Sequence, residues 1–142
     1  MLRELAARAK TINVQELALK VAQQNSGLIK ERVQQQLIVG ENEDGQEVGR
    51  YKSERYANFK QRIGSLAPSG VVDLKLSGEL QNKLKVGIFP TQYLINSLID
   101  YSKYQIQRYG KKIYGLQKEN SEDIKFKNSI GIATEYKRLL GI

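Results

Sequence analysis

Val71-Val72-Asp73-Leu74-Lys75-Leu76 alternates apolar and polar side chains, and two further short apolar runs follow it: Lys85-Val86-Gly87-Ile88-Phe89 and Tyr93-Leu94-Ile95-Asn96-Ser97-Leu98-Ile99. Successive strand residues point to opposite faces, so the first run predicts a half-buried strand with Val72, Leu74 and Leu76 inward and Asp73 outward. Ser77-Gly78 ends it, and Glu79-Leu80-Gln81-Asn82-Lys83-Leu84 reads as a turn or short helix before the next strand. Three short strands in sequence predict a small antiparallel meander.

Helical patterns flank this sheet on both sides. Asn13 is placed to cap a helix, with Glu16 three residues on, a variant of the capping box. Val14, Leu17, Ala18, Val21 and Ala22 then recur at helical spacing and form one apolar face. A short helix is expected over residues 2–10, and Ser26-Gly27 is expected to break or kink the chain. The stripe resumes at Ile29, Val33 and Leu37, while Leu37-Ile38-Val39 reads as a strand entering a hairpin tipped by Asp44-Gly45. Residues 51–63 read as a short basic helix with Tyr56, Phe59 and Ile63 on one side, ahead of a loop from Gly64 to Gly70. Ser102 or Asp100 is expected to cap another basic helix that Gly110 ends. A final helix is expected after Ser121-Glu122-Asp123, with Gly131 weakening its continuity. Helices around a small antiparallel sheet define an α+β fold. The expected organisation is an N-terminal helical segment, 1–36, and an α+β core, 37–142, within one domain overall.

The chain has 142 residues, of which 40% are apolar and 27% charged, a balance that supports a packed core rather than disorder. It contains no cysteine and no histidine, which removes disulfides, thiolate nucleophiles, Ser-His-Asp triads and most zinc chemistry. Neither a GxGxxG nor a GxxxxGK[ST] phosphate loop occurs. Asp73 and Glu79 are the nearest approach to a carboxylate pair, and nothing positions them as acid and base. No catalytic residue, cofactor or metal site is therefore expected, and the chain reads as a non-enzyme. No run of residues is apolar enough to span a membrane or resemble a secretory signal, so synthesis in a cytoplasm is expected.

Charge is unevenly distributed along this chain of net charge +8. Residues 41–50 hold Glu41, Glu43, Asp44 and Glu47 against Arg50, and read first as a polar, solvated loop and second as one that docks against a basic partner. Residues 101–118 hold Lys103, Arg108, Lys111, Lys112 and Lys118 with no acid. Such a segment suits a polyanion or an acidic partner surface, and equally a solvated face. Its tyrosines, including Tyr101, Tyr104, Tyr109 and Tyr114, are available either to stack on bases or to cover the sheet. A small non-specific DNA-binding protein using residues 101–118 is the alternative function this segment raises.

Gly49-Arg50-Tyr51, Tyr56-Ala57, Leu76-Ser77-Gly78-Glu79-Leu80, Tyr109-Gly110 and Ile113-Tyr114-Gly115-Leu116 follow one another in a telling order. The arrangement resembles small virion-morphogenesis proteins of tailed phages and prophages, of the head–tail joining or tail-completion type. Those proteins carry a Leu-(Thr/Ser)-Gly-(Glu/Asp)-Leu/Phe motif after a basic, tyrosine-containing segment, and a Tyr-Gly or Phe-Gly element later. The resemblance covers about half the chain, residues 49–116, and implies a structural virion protein at the neck or tail. It also implies a homo-oligomeric ring contacting portal, connector or tail-tube proteins, with non-specific contact to channel DNA. The residues that carry the motif have a folding role of their own, since Gly78 permits a sharp turn and Leu80 can cover the sheet.

Overall fold

A computed structural model describes residues 1–75, 82–89, 93–97 and 102–142. The fold is α+β. Among the described residues the order is α1 (Leu2–Thr11), α2 (Val14–Gln24), α3 (Ser26–Ile38), α4 (Glu54–Arg62), β1 (Leu84–Ile88), β2 (Tyr93–Ser97), α5 (Ser102–Tyr109), a 3-10 turn (Lys111–Tyr114) and α6 (Lys118–Leu140).

Helix α2 begins where the sequence places its cap: the Gln15 and Glu16 amides donate to Asn13 Oδ1 at 3.1 and 3.2 Å. Leu17 and Val21 point inward. The break comes at Asn25, whose side chain donates to Asn128 Oδ1 on α6 at 2.7 Å. Helix α3 then buries Ile29, Val33 and Leu37, spaced four residues apart on one stripe. Leu37-Ile38-Val39 is therefore the end of this helix, not a strand. The stripe recruits Leu37 into the core, and Gly40 terminates the helix at φ +80°, in the left-handed conformation that favours glycine. Residues 36 and 37 both lie within α3.

The expected hairpin is reduced to one bridge, Glu41 to Glu47, closed by Gly45 at φ +73°. The chain next pairs briefly across Arg50 and Val71, with the Tyr51 amide donating to Gly70 O and the Val72 amide to Gly49 O. Beyond that bridge the alternation expected of this run fails over residues 71–75. Val71, Val72 and Asp73 are all buried, and Leu74 turns to φ +48°. Asp73 thus points inward, a correction whose cause is a buried cationic partner. Leu76 and the rest of the expected turn through Gln81 lie outside the described residues, as do the Leu98-Ile99 end of the last strand, Asp100 and Tyr101.

Among the described residues the sheet has two antiparallel strands, registered Leu84 to Ser97, Val86 to Ile95 and Ile88 to Tyr93. Helix α3 lies along β1, and the core gathers Ile29, Val33 and Leu37 with Val72, Leu84, Ile113, Leu116 and Ile124. Each such side chain contributes roughly 1.5–3 kcal/mol on burial. Helix α6 starts at Lys118, earlier than expected, and runs unbroken through Gly131. A Cβ at Gly131 would stand 2.8 Å from Val21 Cγ1. That glycine lets α2 and α6 approach closely, which explains its place inside a helix.

Candidate functional site

Three regions concentrate the molecule's chemistry: the basic segment with the acidic loop, the floor beneath α4, and a cleft beside the sheet.

Lys103, Arg108, Lys111, Lys112 and Lys118 are all exposed, but they sit on three elements. Lys103 and Arg108 are five residues apart on α5 and so diverge by about 140° around its axis. Each lies near a neighbouring ring, Lys103 at 5.0 Å from Tyr104 and Arg108 at 5.4 Å from Tyr109. Lys112 pairs with Asp44 at 2.5 Å. That contact raises the Lys112 pKa, chiefly through the hydrogen bond to Asp44. The loop expected to be free in solvent is therefore held on the chain's own basic segment. The Glu43 amide donates to Lys112 O, and Gln117 Nε2 donates to Glu41 Oε2 at 2.7 Å. Gly115 makes the approach possible, because a Cβ there would overlap the Glu43 side chain.

Gln36 locks the same junction from inside. Its Nε2 donates to Gly115 O at 2.8 Å, while its Oε1 accepts from the Gln117 amide at 3.0 Å and Asn120 Nδ2 at 2.9 Å. In the sequence Gln36 closes a bland Gln34-Gln35-Gln36 run, and only its position beside the Leu37 stripe hinted at burial. Of the motif residues, Tyr109 lies against Gly49, and Gly110 ends α5 at φ +87°. Leu76, Ser77, Gly78, Glu79 and Leu80 lie outside the described residues.

Beneath α4 lies a buried ion pair that sequence reasoning missed. Lys60 Nζ stands 2.7 Å from Asp73 Oδ1, and both side chains are only 3% exposed. Lys60 also donates to Lys75 O. Asp73 accepts further bonds from Ser65 Oγ at 2.7 Å, Tyr51 Oη at 3.2 Å and the Lys75 amide at 3.0 Å. Burial alone would push the Asp73 carboxyl up, but the bonds from Lys60, Ser65 and the Lys75 amide together outweigh it and hold its pKa below the usual value. Burial, reinforced by the Asp73 charge, raises the Tyr51 phenol well above its ordinary range. A cavity of about 80 Å³ adjoins the network. Every donor is aimed at the carboxylate, an arrangement suited to fixing α4 on the 64–75 loop. The available signal was a charged residue inside the apolar run Val71-Val72-Asp73-Leu74.

With Ala57 and Lys60 as its buried residues, α4 turns its aromatic stripe outward: Tyr56 is 39% exposed, Phe59 40% and Ile63 51%. The rings form a ladder, Tyr51 to Tyr56 at 5.0 Å edge-on and Tyr56 to Phe59 at 5.8 Å. The third region is a cleft of about 950 Å³ between the sheet, α5 and α6, with Ile88, Ile95, Ile106 and Ile124 in its walls and Lys111 and Lys125 beside them. Among the described residues there is no cluster of carboxylates able to hold a metal ion, and no helix long and apolar enough to cross a membrane. No family model, no curated protein and no solved structure matches this chain.

Proposed function

We propose that this chain is a structural assembly protein, and specifically a head–tail junction component of a tailed-phage virion that acts as a homo-oligomeric ring. The observation that carries the assembly reading is the outward aromatic face of α4, set on a buried Lys60–Asp73 pair. Contiguous exposed apolar side chains on a rigid support are the usual mark of a protein–protein contact. The placement in a virion, beside portal, connector or tail-tube proteins, comes from the motif order between Gly49 and Leu116. The basic segment favours DNA less, because Lys112 is engaged by Asp44 and Lys103 and Arg108 diverge around α5.

The deciding experiment is the solution mass by light scattering behind gel filtration, alone and with candidate neck or tail proteins. A discrete closed oligomer, alone or on the partner, is the expected result. A chain that stays monomeric at every concentration and joins no virion protein overturns the reading. Duplex affinity that falls steeply with salt would move it to DNA binding.

A further inference from the structure

We infer that the α4 face docks on the N-terminal half of α6 in a second copy of this chain, a head-to-tail contact that rests on the ring reading above. The two surfaces pair apolar with apolar side chains and arginines with glutamates. Helix α6 exposes Phe126 and Ile130, at 64% and 51%, one turn apart on its solvent side. Glu119 and Glu122 stand above them on the same face toward the helix start, both exposed, while the exposed Lys118 and Lys125 lie to one flank of that face. On α4, Arg55 and Arg62 lie seven residues apart along one flank of the Tyr56–Phe59–Ile63 stripe, since seven residues return to about the same side of a helix. None of Arg55, Arg62, Glu119 and Glu122 forms an ion pair among the described residues.

Laid steeply across Phe126 and Ile130, α4 turns its arginine flank toward Glu119 and Glu122. Arg55 and Arg62 then straddle the axis that Glu119 and Glu122 flank. The alternative of α4 against α4 brings arginines of both copies together, which like-charge repulsion opposes. A contact between two different surfaces of one chain propagates from copy to copy and closes into a ring when the rotation allows.

The natural chain has no cysteine, so introduced thiols report this contact alone. Phe59→Cys combined with Ile130→Cys, mildly oxidised, should give a ladder of covalent multimers, because a disulfide needs Cα atoms within about 7 Å. Each single variant should remain uncrosslinked. Arg55→Glu/Arg62→Glu should weaken self-association on the order of 100-fold, and mixing it with Glu119→Arg/Glu122→Arg should restore it. Circular dichroism checks that these surface variants fold. A wild-type oligomer with no ladder and no effect of charge reversal overturns the interface and leaves the ring reading standing. Dimers from either single cysteine overturn it in favour of like faces meeting. A wild-type chain that is monomeric alone and with neck or tail proteins overturns both.

Discussion

Lys60 and Asp73 meet at 2.7 Å with both side chains 3% exposed, whereas Lys112 and Asp44 meet at 2.5 Å with 58% and 42% exposed. Each pair fastens a loop, the first holding residues 64–75 under α4 and the second holding residues 41–47 on the 3-10 turn. Distance ranks the second as tighter, but surroundings reverse the order. Water and salt screen the exposed pair. The buried pair has no water to fall back on, so removing one partner strands a charge. The comparison teaches that α4 is anchored by a contact the molecule cannot lose cheaply, while the acidic loop is held by one it can.

The largest effect should come from Lys60→Met. Stranding Asp73 should cost about 3–5 kcal/mol, a fall in Tm of roughly 10–17 °C for a chain of this size. Lys60→Met with Asp73→Leu should recover most of the loss, since no charge is then left behind. Thermal unfolding of the three proteins measures this directly. A single variant within about 1 kcal/mol of wild type would mean the pair is solvated and the comparison wrong.

Acid should act next. The folded pKa of Asp73 is depressed, so its contribution is complete above the ordinary value of 3.8 and drains away as pH falls through the lower folded value. Glu135 behaves alike on the surface, lowered to about 2 by hydrogen bonds from Arg138 and then Lys20. Salt should erase the Glu135 share and spare that of Asp73. Denaturant midpoints between pH 5 and 2, with and without salt, separate them, and an acid limb that vanishes entirely in salt would contradict the buried assignment. Tyr51 gives the opposite limb. Its raised pKa predicts stability that is full below 10.0 and lost as pH climbs above it.

The same physics explains which features the sequence discloses. The α2 cap at Asn13, the Ile29–Val33–Leu37 stripe, β1, β2 and the stop at Gly110 are local, each set by neighbours within a turn or a strand. Leu37-Ile38-Val39 was ambiguous because a three-residue apolar run fits a strand as well as a helix end. Periodicity identified α4 as a helix with Tyr56, Phe59 and Ile63 on one side, but it does not say which side meets the core. That choice depended on Lys60 finding Asp73, thirteen residues away. Gly131 read as a weak point, when the reason for it is Val21 on another helix. Of the candidate site, the basic residues were legible as exposed cations; Gln36, Lys60 and Tyr51 were not, because each earns its role only through a distant partner.

A smaller effect is expected from Gly115→Ala, which sets a methyl group against Glu43. Overpacking costs roughly 1–3 kcal/mol where the neighbour cannot yield, but the acidic loop can swing away, so the low end of that range applies. The sharper signature is local: faster amide exchange at Glu43, whose N–H donates to Lys112 O, with exchange beneath α4 unchanged.

Lys112→Ala should do least. Its ammonium lies in solvent, and the loop keeps its other ties, Gln117 Nε2 to Glu41 Oε2 and the Glu43 amide to Lys112 O, which the substitution leaves in place. The expected Tm change is within about 2 °C at low salt and nil at high salt. A drop as large as that of Lys60→Met would mean that the acidic loop, and not the buried pair, is the fastening on which the fold depends. Equal loss at both salts would be the most damaging result, because a screened surface pair cannot produce it.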